Sequence, residues 1–383
     1  MRAHSTDVLV LGAGVAGCAA AMVLGEHHTV TLVDRAETTA PRIGESLPGA
    51  ATPLLRRLGL IERFEADGHR PSLGKASVWG SNVLVRRDAF TDPMGPGWCL
   101  DRLRFDTMLR AAACDRGARL IAPASLTGLT RRADGAAGWH ALLRSADEDI
   151  VLDARFVVLA HGRGTPPTAF DPPLAVRASD GLVCRFVKTP PSPTSTTLTG
   201  FSLIEAVAEG WWYQATLPDG HRVLAFHTDA DLPSARRACH PEGFTALLAA
   251  THGLDITPSP PVATIARASA RSQVLDRPCG ADWCAVGDAA CAFDPLSSQG
   301  LFHALYTGVR GAEATIHAMQ NDTQALPAYG RQLAQIVAAY SANLGRFYGV
   351  ETRFGDSPFW TRRRHAPRLG VATRHAPSIE SVA

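Results

Sequence analysis

Apolar and polar positions along the chain alternate between two periods, which marks a mixed α/β protein. Residues 7–11 form a short apolar run, 15–25 a stretch of small and apolar residues, and 29–34 a second run with alternating apolar positions. A strand, a helix and a strand of those lengths predict a β-α-β opening. Residues 43–58 read as a loop running into a helix, 76–87 alternate like one strand, and 104–116 carry the period of an amphipathic helix. Further strands are expected at 119–129, 139–143 and 156–159. Residues 189–199, rich in Pro, Ser and Thr, signal a loop. From 201 to 228 the pattern turns to β, an apolar run followed by a turn at Asp219-Gly220 and a strand over 222–226. Residues 282–286 predict another buried strand, and 301–319 and 326–340 long helices. The tail beyond Trp360 holds Arg362, Arg363, Arg364 and Arg368 with Pro367 and Pro377, and reads as a solvated segment.

Composition narrows the class. The chain has 383 residues, 46% hydrophobic and 19% charged, which is ordinary globular usage and unlike disordered, collagen-like or coiled-coil chains. That length predicts two domains, or one large domain with an insertion. A net charge of +2 supplies no excess that would point to nucleic acid or an anionic membrane. Only two of the basic residues are lysines, Lys75 and Lys188. Residues 8–25 are uncharged over a length near that of a bilayer span, but four glycines interrupt them and no secretory n-region precedes them. They read as a buried strand, turn and helix, and no membrane span is expected. The eight cysteines form no C-x-x-C pair and no zinc-ligand spacing, so buried free thiols, no metal site and a cytoplasmic location are expected.

Gly12-Ala13-Gly14-Val15-Ala16-Gly17 fits G-x-G-x-x-G between the first predicted strand and helix. There Gly12 permits the tight turn, Gly14 lets the backbone approach a pyrophosphate, and Gly17 lets helix pack on sheet. The helix N-terminus, with Ala16 in its first turn, offers unpaired N–H groups to phosphates. Asp34, followed by Arg35, ends the second strand 22 positions after Gly12, where a carboxylate meets ribose hydroxyls. Strand, helix and acid in register predict a dinucleotide site. Nearer the other end, Gly287-Asp288-Ala289 follows a buried strand and Asp294-Pro295 leads through Gly300 into a long helix. By itself this is also a plain strand–turn–helix. It resembles the second flavin motif of the glutathione-reductase-type FAD proteins. That resemblance implies FAD as the dinucleotide, Asp288 on its ribityl chain, and Pro295 beside the isoalloxazine. Gly300 and Leu301 would open a helix whose positive end faces the flavin pyrimidine.

The resemblance extends further. Ile43-Gly44-Glu45-Ser46-Leu47-Pro48, Asp101-Arg102 with Phe105-Asp106, Gly210-Trp211-Trp212-Tyr213, Leu217-Pro218 and Pro358-Phe359-Trp360 are similar to elements of the flavin-dependent halogenase-like FAD monooxygenases. Within that group the motifs look most like the flavoproteins that hydroxylate tryptophan in quinone-cofactor maturation. The likeness runs from about residue 6 to 364 and implies an α/β fold. An FAD-binding Rossmann-like domain (1–70, 99–180 and 265–325) would carry an inserted antiparallel-sheet substrate domain (71–98 and 181–264). A C-terminal helical segment and tail (326–383) would follow. Ser46, Leu47 and Arg102 would join the glycine motifs around FAD. Ala160-His161-Gly162-Arg163 is similar to the A-T-G-R element of related flavoproteins.

Departures from the halogenase pattern choose between chemistries. Tryptophan halogenases carry W-x-W-x-I-P, where this chain has Tyr213 and Ala215 for the two tryptophans. They carry P-L-E-S-T-G, where Pro295-Leu296 is followed here by Ser297-Ser298-Gln299-Gly300. The glutamate is absent, and Lys75 alone is a candidate for their relay lysine. The expected reaction is therefore hydroxylation of an electron-rich, indole-like ring through a flavin C4a-hydroperoxide, with O2 as co-substrate. No second G-x-G-x-x-G follows, so electrons are expected from NAD(P)H directly or through a separate flavin reductase. Trp79, Trp211, Trp212 and Tyr213 are expected to line an apolar pocket that orients the ring and excludes water. Lys75, Tyr213 and Ser298 are the catalytic candidates, and His161, His227 and His303 candidates for a base. Each also has a plain reading as core or loop. The substrate is an aromatic small molecule or a ring tethered to a peptide or carrier, with free tryptophan a poor one. Flavin-dependent halogenation is the alternative. An isoprenoid-type reductase and a non-catalytic prenyl-protein carrier stand behind it, the latter disfavoured by the intact Gly287-Asp288 and Gly300.

Overall fold

The structure, a computed structural model, describes residues 3–38, 42–132, 137–146, 148–191, 200–254 and 264–365. Five parallel strands form its spine, in the order Arg119–Ile121, Val30–Val33, Ala3–Leu11, Asp149–Leu159 and Trp283–Ala285. Asp149–Leu159 also pairs antiparallel with Trp139–Ser145, which pairs with Ala124–Arg131. Strands covered on both faces need no polar side, and every residue of Val30–Val33 and of 156–159 is buried. The helix Val15–Leu24 is buried along its whole length. Its small residues allow this. A Cβ on Gly308 would stand 2.5 Å from the Ala16 carbonyl oxygen and 2.9 Å from Ala19 Cβ, so the helix Gly300–Met319 lies against it almost backbone to backbone.

A second sheet runs in the order Ala266–Ser269, Leu182–Thr189, Arg222–Asp229, Gly210–Thr216, Phe201–Val207, Gly74–Val78 and Val85–Asp88. It is antiparallel except between Phe201–Val207 and Gly74–Val78, which are parallel. Four expectations change here. Residues 76–87 form a hairpin rather than one strand, because Gly80 at φ +74° turns the chain between them. The stretch 119–129 is two strands divided before Pro123, which has no N–H to give a ladder. Residues 201–228 hold three strands, turned at Gly210, where a Cβ would meet the His227 carbonyl oxygen at 2.0 Å. Ala266–Ser269 pairs with Leu182–Thr189, so this sheet extends beyond the boundary at 264, since a strand's sheet is set by its partner and not by its place in the chain. Most of the loop expected at 189–199 lies outside the described residues.

The last two helices are Ala325–Val350, which continues well past Tyr340, and Pro358–His365. Phe359 and Trp360 are buried, and of the three arginines that follow, Arg363 has its side chain buried in an ion pair while Arg362 and Arg364 are exposed. Arg363 donates to Asp229 at 2.8 Å and lies 3.4 Å over the Phe359 ring, while Arg362 donates to Asp231 at 2.7 Å. Arg368, Pro367 and Pro377 lie outside the described residues. All eight cysteines are free, four of them buried. Among the described residues no helix is long and apolar enough to cross a membrane, and no group of His, Cys, Asp and Glu could hold a metal ion.

The Asp229–Arg363 pair is nearly inaccessible, at 3% and 6% side-chain exposure. Removing one member of such a pair leaves the other charge uncompensated. Asp229→Asn is expected to lower unfolding free energy by about 3–5 kcal/mol, read as a shift of the urea midpoint with an unchanged slope.

Candidate active site

A cavity of about 760 Å³ lies between the C-terminal ends of the parallel strands and the second sheet. Its floor is the turn after Ala3–Leu11. Gly12 has φ +118°, and a Cβ there would stand 2.3 Å from the Ala160 carbonyl oxygen, so the turn admits only glycine. Gly14 differs: only an Arg42 guanidinium nitrogen, 3.8 Å away, would meet its Cβ. The space beside it is open to the cavity. Helix Val15–Leu24 begins with no side-chain cap, so its first N–H groups remain available to an anion. Asp34 Oδ2 accepts from Ala13 N–H at 2.7 Å and Oδ1 from Ala36 N–H at 2.9 Å. Each oxygen keeps a lone pair for a ribose hydroxyl. A glycine cradle, an uncapped helix and a braced carboxylate in one cleft fit the pyrophosphate and ribose of FAD.

The opposite wall comes from the other end of the chain. Asp288 lies in the turn Gly287–Ala289 and accepts from Arg163 Nε at 3.0 Å; the same guanidinium donates to the Phe293 carbonyl at 2.9 Å. Pro295, Ser298, Gly300 and Leu301 line the cavity, as do Arg35, Ser46 and Arg102. Ser298 is held at φ 51° just before the uncapped helix Gly300–Met319. Arg102 donates to the carbonyls of Ile43 and Gly44 at 3.0 and 2.9 Å and pairs with Asp106, so it fixes the loop that carries Glu45 and Ser46. Three expected contacts are structural instead. Gly17 and Gly287 shape the walls without facing the cavity: their Cβ atoms would meet Gly12 O at 1.8 Å and Ala16 Cβ at 2.7 Å. Leu47 is fully buried in a two-residue strand against Trp98.

The remaining cavity wall is aromatic. Phe186, Trp211, Tyr213 and His227 line it from the second sheet. Strand alternation turns Trp212 to the opposite face, against Phe226 and Phe244, and Trp79 donates to the Phe347 carbonyl, so neither lines the cavity as expected. Trp211 stacks on His227 with ring centroids 3.7 Å apart and donates to Tyr348 Oη, which donates to Asp294 Oδ2 at 2.7 Å. Burial pushes Asp294 up to about 6 and His227 down to about 3. It pushes His303, bonded to Cys291 Sγ away from the cavity, down to about 4. Both imidazoles are therefore neutral. His161 lines the cavity with neither ring nitrogen bonded.

Of the three catalytic candidates, Tyr213 and Ser298 stand at the cavity and Lys75 does not. Lys75 pairs with Ser202 on an exposed part of the sheet, two register rows from Ser77, Ile204 and Tyr213. Two residues were missing from the sequence-based site. Arg163 is one. The other is Glu45, which lines the cavity at 4% exposure with Oε2 unbonded and its carboxyl raised by burial. Both stand inside motifs singled out in the sequence, Ile43-to-Pro48 and Ala160-to-Arg163, to which no role of theirs was attached.

Two predictions follow from this geometry. Gly14→Val should fold with an unchanged thermal midpoint yet lose FAD in a fluorescence titration, whereas Gly12→Ala should lower the midpoint itself. Asp294 binds its proton more tightly folded than unfolded, so native stability is expected to fall as pH rises from about 4 and to level off above about 6. Asp294→Asn should flatten that segment of the stability–pH curve, measured by urea midpoints.

The FAD-binding-domain family model matches residues 5–310. LodB of Marinomonas mediterranea, described as an FAD-dependent oxidoreductase, is 28% identical over 95% of this chain and 98% of its own. The flavin-dependent halogenase CmlS superposes with a TM-score of 0.82 at 22% identity, over 94% of this chain and 68% of CmlS, which is likeness of fold. The peptidyl tryptophan dihydroxylase QhpG, essential for tryptophylquinone cofactor biogenesis, gives a TM-score of 0.70 at 25% identity, over 94% of this chain and 78% of QhpG. With the glycine cradle, the Asp288 turn and the uncapped helix at Gly300 all facing one cleft, the chain belongs to the FAD-binding-domain family, as an FAD-dependent oxidoreductase.

Proposed function

We propose that the protein is an FAD-dependent monooxygenase that hydroxylates an indole-type ring carried by a peptide, protein or carrier. The observation that carries this reading is the aromatic half of the cleft, where Phe186, Trp211 and Tyr213 line the same cavity as Pro295, Gly300, Leu301 and the buried carboxyl of Glu45. Bound FAD, once reduced, supplies the activation of dioxygen. The chain's own residues flank and orient the ring, and their apolar surfaces exclude water. Glu45 takes the proton that the ring carbon sheds as its C–O bond forms. The N-terminal end of Gly300–Met319 favours negative charge beside it. Electrons come from NAD(P)H, directly or through a separate flavin reductase. The likeness to QhpG, a peptidyl tryptophan dihydroxylase, supports a macromolecular substrate.

Halogenation is the second reading. It is favoured by Lys75, which shares the cleft-facing side of the sheet with Tyr213, and by the fold shared with CmlS. Against it, Ser297 stands where the halogenase motif has a carboxylate, and Lys75 lies outside the cavity.

Mass spectrometry separates the two. With reduced FAD and isotopically labelled dioxygen, a tryptophan-bearing peptide should gain one or two labelled oxygen atoms and free tryptophan little. Chlorine or bromine in any product would sink the hydroxylase reading. Glu45→Gln should lower kcat by about a hundredfold with FAD affinity intact. Because burial raises the Glu45 carboxyl, wild-type turnover should climb with pH as the carboxylate forms, and the variant should lack that limb.

A further inference from the structure

A line of oxidisable rings leads out of the cleft. Trp211 lines the cavity, and its Nε1–H donates to Tyr348 Oη at 3.1 Å. The centroid of the Tyr348 ring stands 5.8 Å from that of Trp360 and 6.0 Å from that of Trp79, and those two indoles are 5.3 Å apart. Trp211, Tyr348 and Trp360 are buried, whereas Trp79 is half-buried and donates to the carbonyl of Phe347, whose own ring is exposed. The line therefore has one end at the cavity and the other at solvent. Packing accounts for the rings but not for the hydroxyl in their midst, since burying a hydroxyl costs free energy that a phenylalanine would avoid. The Tyr348 hydroxyl accepts from Trp211 and donates to Asp294 Oδ2 at 2.7 Å. The Arg363 guanidinium carbon lies 5.2 Å from the centre of the Tyr348 ring and opposes positive charge there. An electron thus leaves Tyr348 most readily together with the phenolic proton, and Asp294 stands where that proton goes.

We propose that Trp211, Tyr348, Trp360 and Trp79 conduct single-electron vacancies from the cleft to the surface, where a soluble thiol fills them. The oxidant is an oxygen-centred radical of the class that peroxide yields. It gains one electron from the Trp211 indole and becomes an anion. Tyr348 returns an electron to Trp211 and passes its phenolic proton to Asp294. Trp79, directly or through Trp360, gives an electron to the Tyr348 oxygen as Asp294 hands the proton back. The vacancy is then a cation on Trp79. A thiolate in solution gives up one electron to fill it, and two of the sulfur radicals so formed join as a disulfide. Each vacancy consumes one thiolate, and no bond of the protein is left changed. The path needs an oxidant in the cleft and is independent of which ring the protein oxygenates.

Blue light makes bound flavin a one-electron oxidant, so the FAD-loaded protein can be tested without substrate or oxygen. A nitroso spin trap captures radicals that reach the surface, and peptide mass spectrometry locates the adducts. The Trp79 adduct is read as its ratio to the label that tris(bipyridine)ruthenium and persulfate place on Trp79 from outside. The wild type should carry the adduct on Trp79, and added glutathione should abolish it. Tyr348→Phe and Asp294→Asn should lose it and hold the radical on Trp211 instead, seen by paramagnetic resonance in frozen solution. A wild-type radical that stays on Trp211 overturns the proposal, as does a Trp79 adduct that glutathione leaves untouched. Persistence of the adduct in either variant overturns it too. If Tyr348→Phe does not fold, Asp294→Asn and the two wild-type measurements decide. Because none of these readouts involves turnover, failure here leaves the hydroxylase reading standing, and failure of that reading leaves the path standing.

Discussion

Everything in the site depends on how closely two helices from opposite ends of the chain can approach. Val15–Leu24 and Gly300–Met319 meet where Gly308 leaves no side chain against the Ala16 carbonyl and where Gly287 lies against Ala16 Cβ. That contact brings the glycine turn at one helix N-terminus and the Pro295–Leu301 segment at the other to one cleft. A larger residue at Ala16, Gly287 or Gly308 would push the two halves of the cofactor site apart. The cost would be more than local packing, because neither half closes a cleft alone. Small residues here act as a spacing device, and the buried length of the first helix is its consequence.

Around that joint the chain is organised by what each side chain can satisfy. Arg102 spends its donors on the Ile43 and Gly44 carbonyls and on Asp106, and Arg163 ties Asp288 to the Phe293 carbonyl. Both are charged groups used as braces at the cavity wall. Beyond them the second sheet offers rings and a relay of hydroxyl and carboxyl groups, Trp211 to Tyr348 to Asp294, in which every member is buried. A polar network satisfied inside an apolar wall holds the aromatic surface of the cavity in one geometry.

The glycine motifs, the acid after the second strand and the turn at Asp288 were legible in the sequence because each depends on local backbone geometry. Gly12 needs its positive φ whatever surrounds it, and Asp288 follows a buried strand by a fixed count. Facing was harder to read. Trp211 and Trp212 are neighbours in sequence, yet alternation puts one at the cavity and the other in a separate core cluster. Lys75 has the right residue type but the wrong register row. Glu45 stands in a motif legible in the sequence, but its buried place at the cleft depends on Arg102, far along the chain, which holds its loop. Arg362 and Arg363 read as solvated until their partners on the Leu182-to-Asp229 sheet were in place. Pairing partners at long range decide such cases, and one sequence carries no direct record of them.

The cysteines bear on how long such a protein survives its own chemistry. Thiolates, not thiols, are what attack peroxide and are oxidised by it. Cys184 lines the cleft and Cys291 lies just behind it, and burial raises both thiols far above their usual range. Peroxide released by dioxygen activation of the proposed kind would thus meet sulfur that stays protonated and unreactive where its concentration is highest. Only Cys114 and Cys239 are exposed to bulk solvent. Oxidative wear, and any dimer linked by sulfur, would begin at those two surface positions and leave the cleft intact.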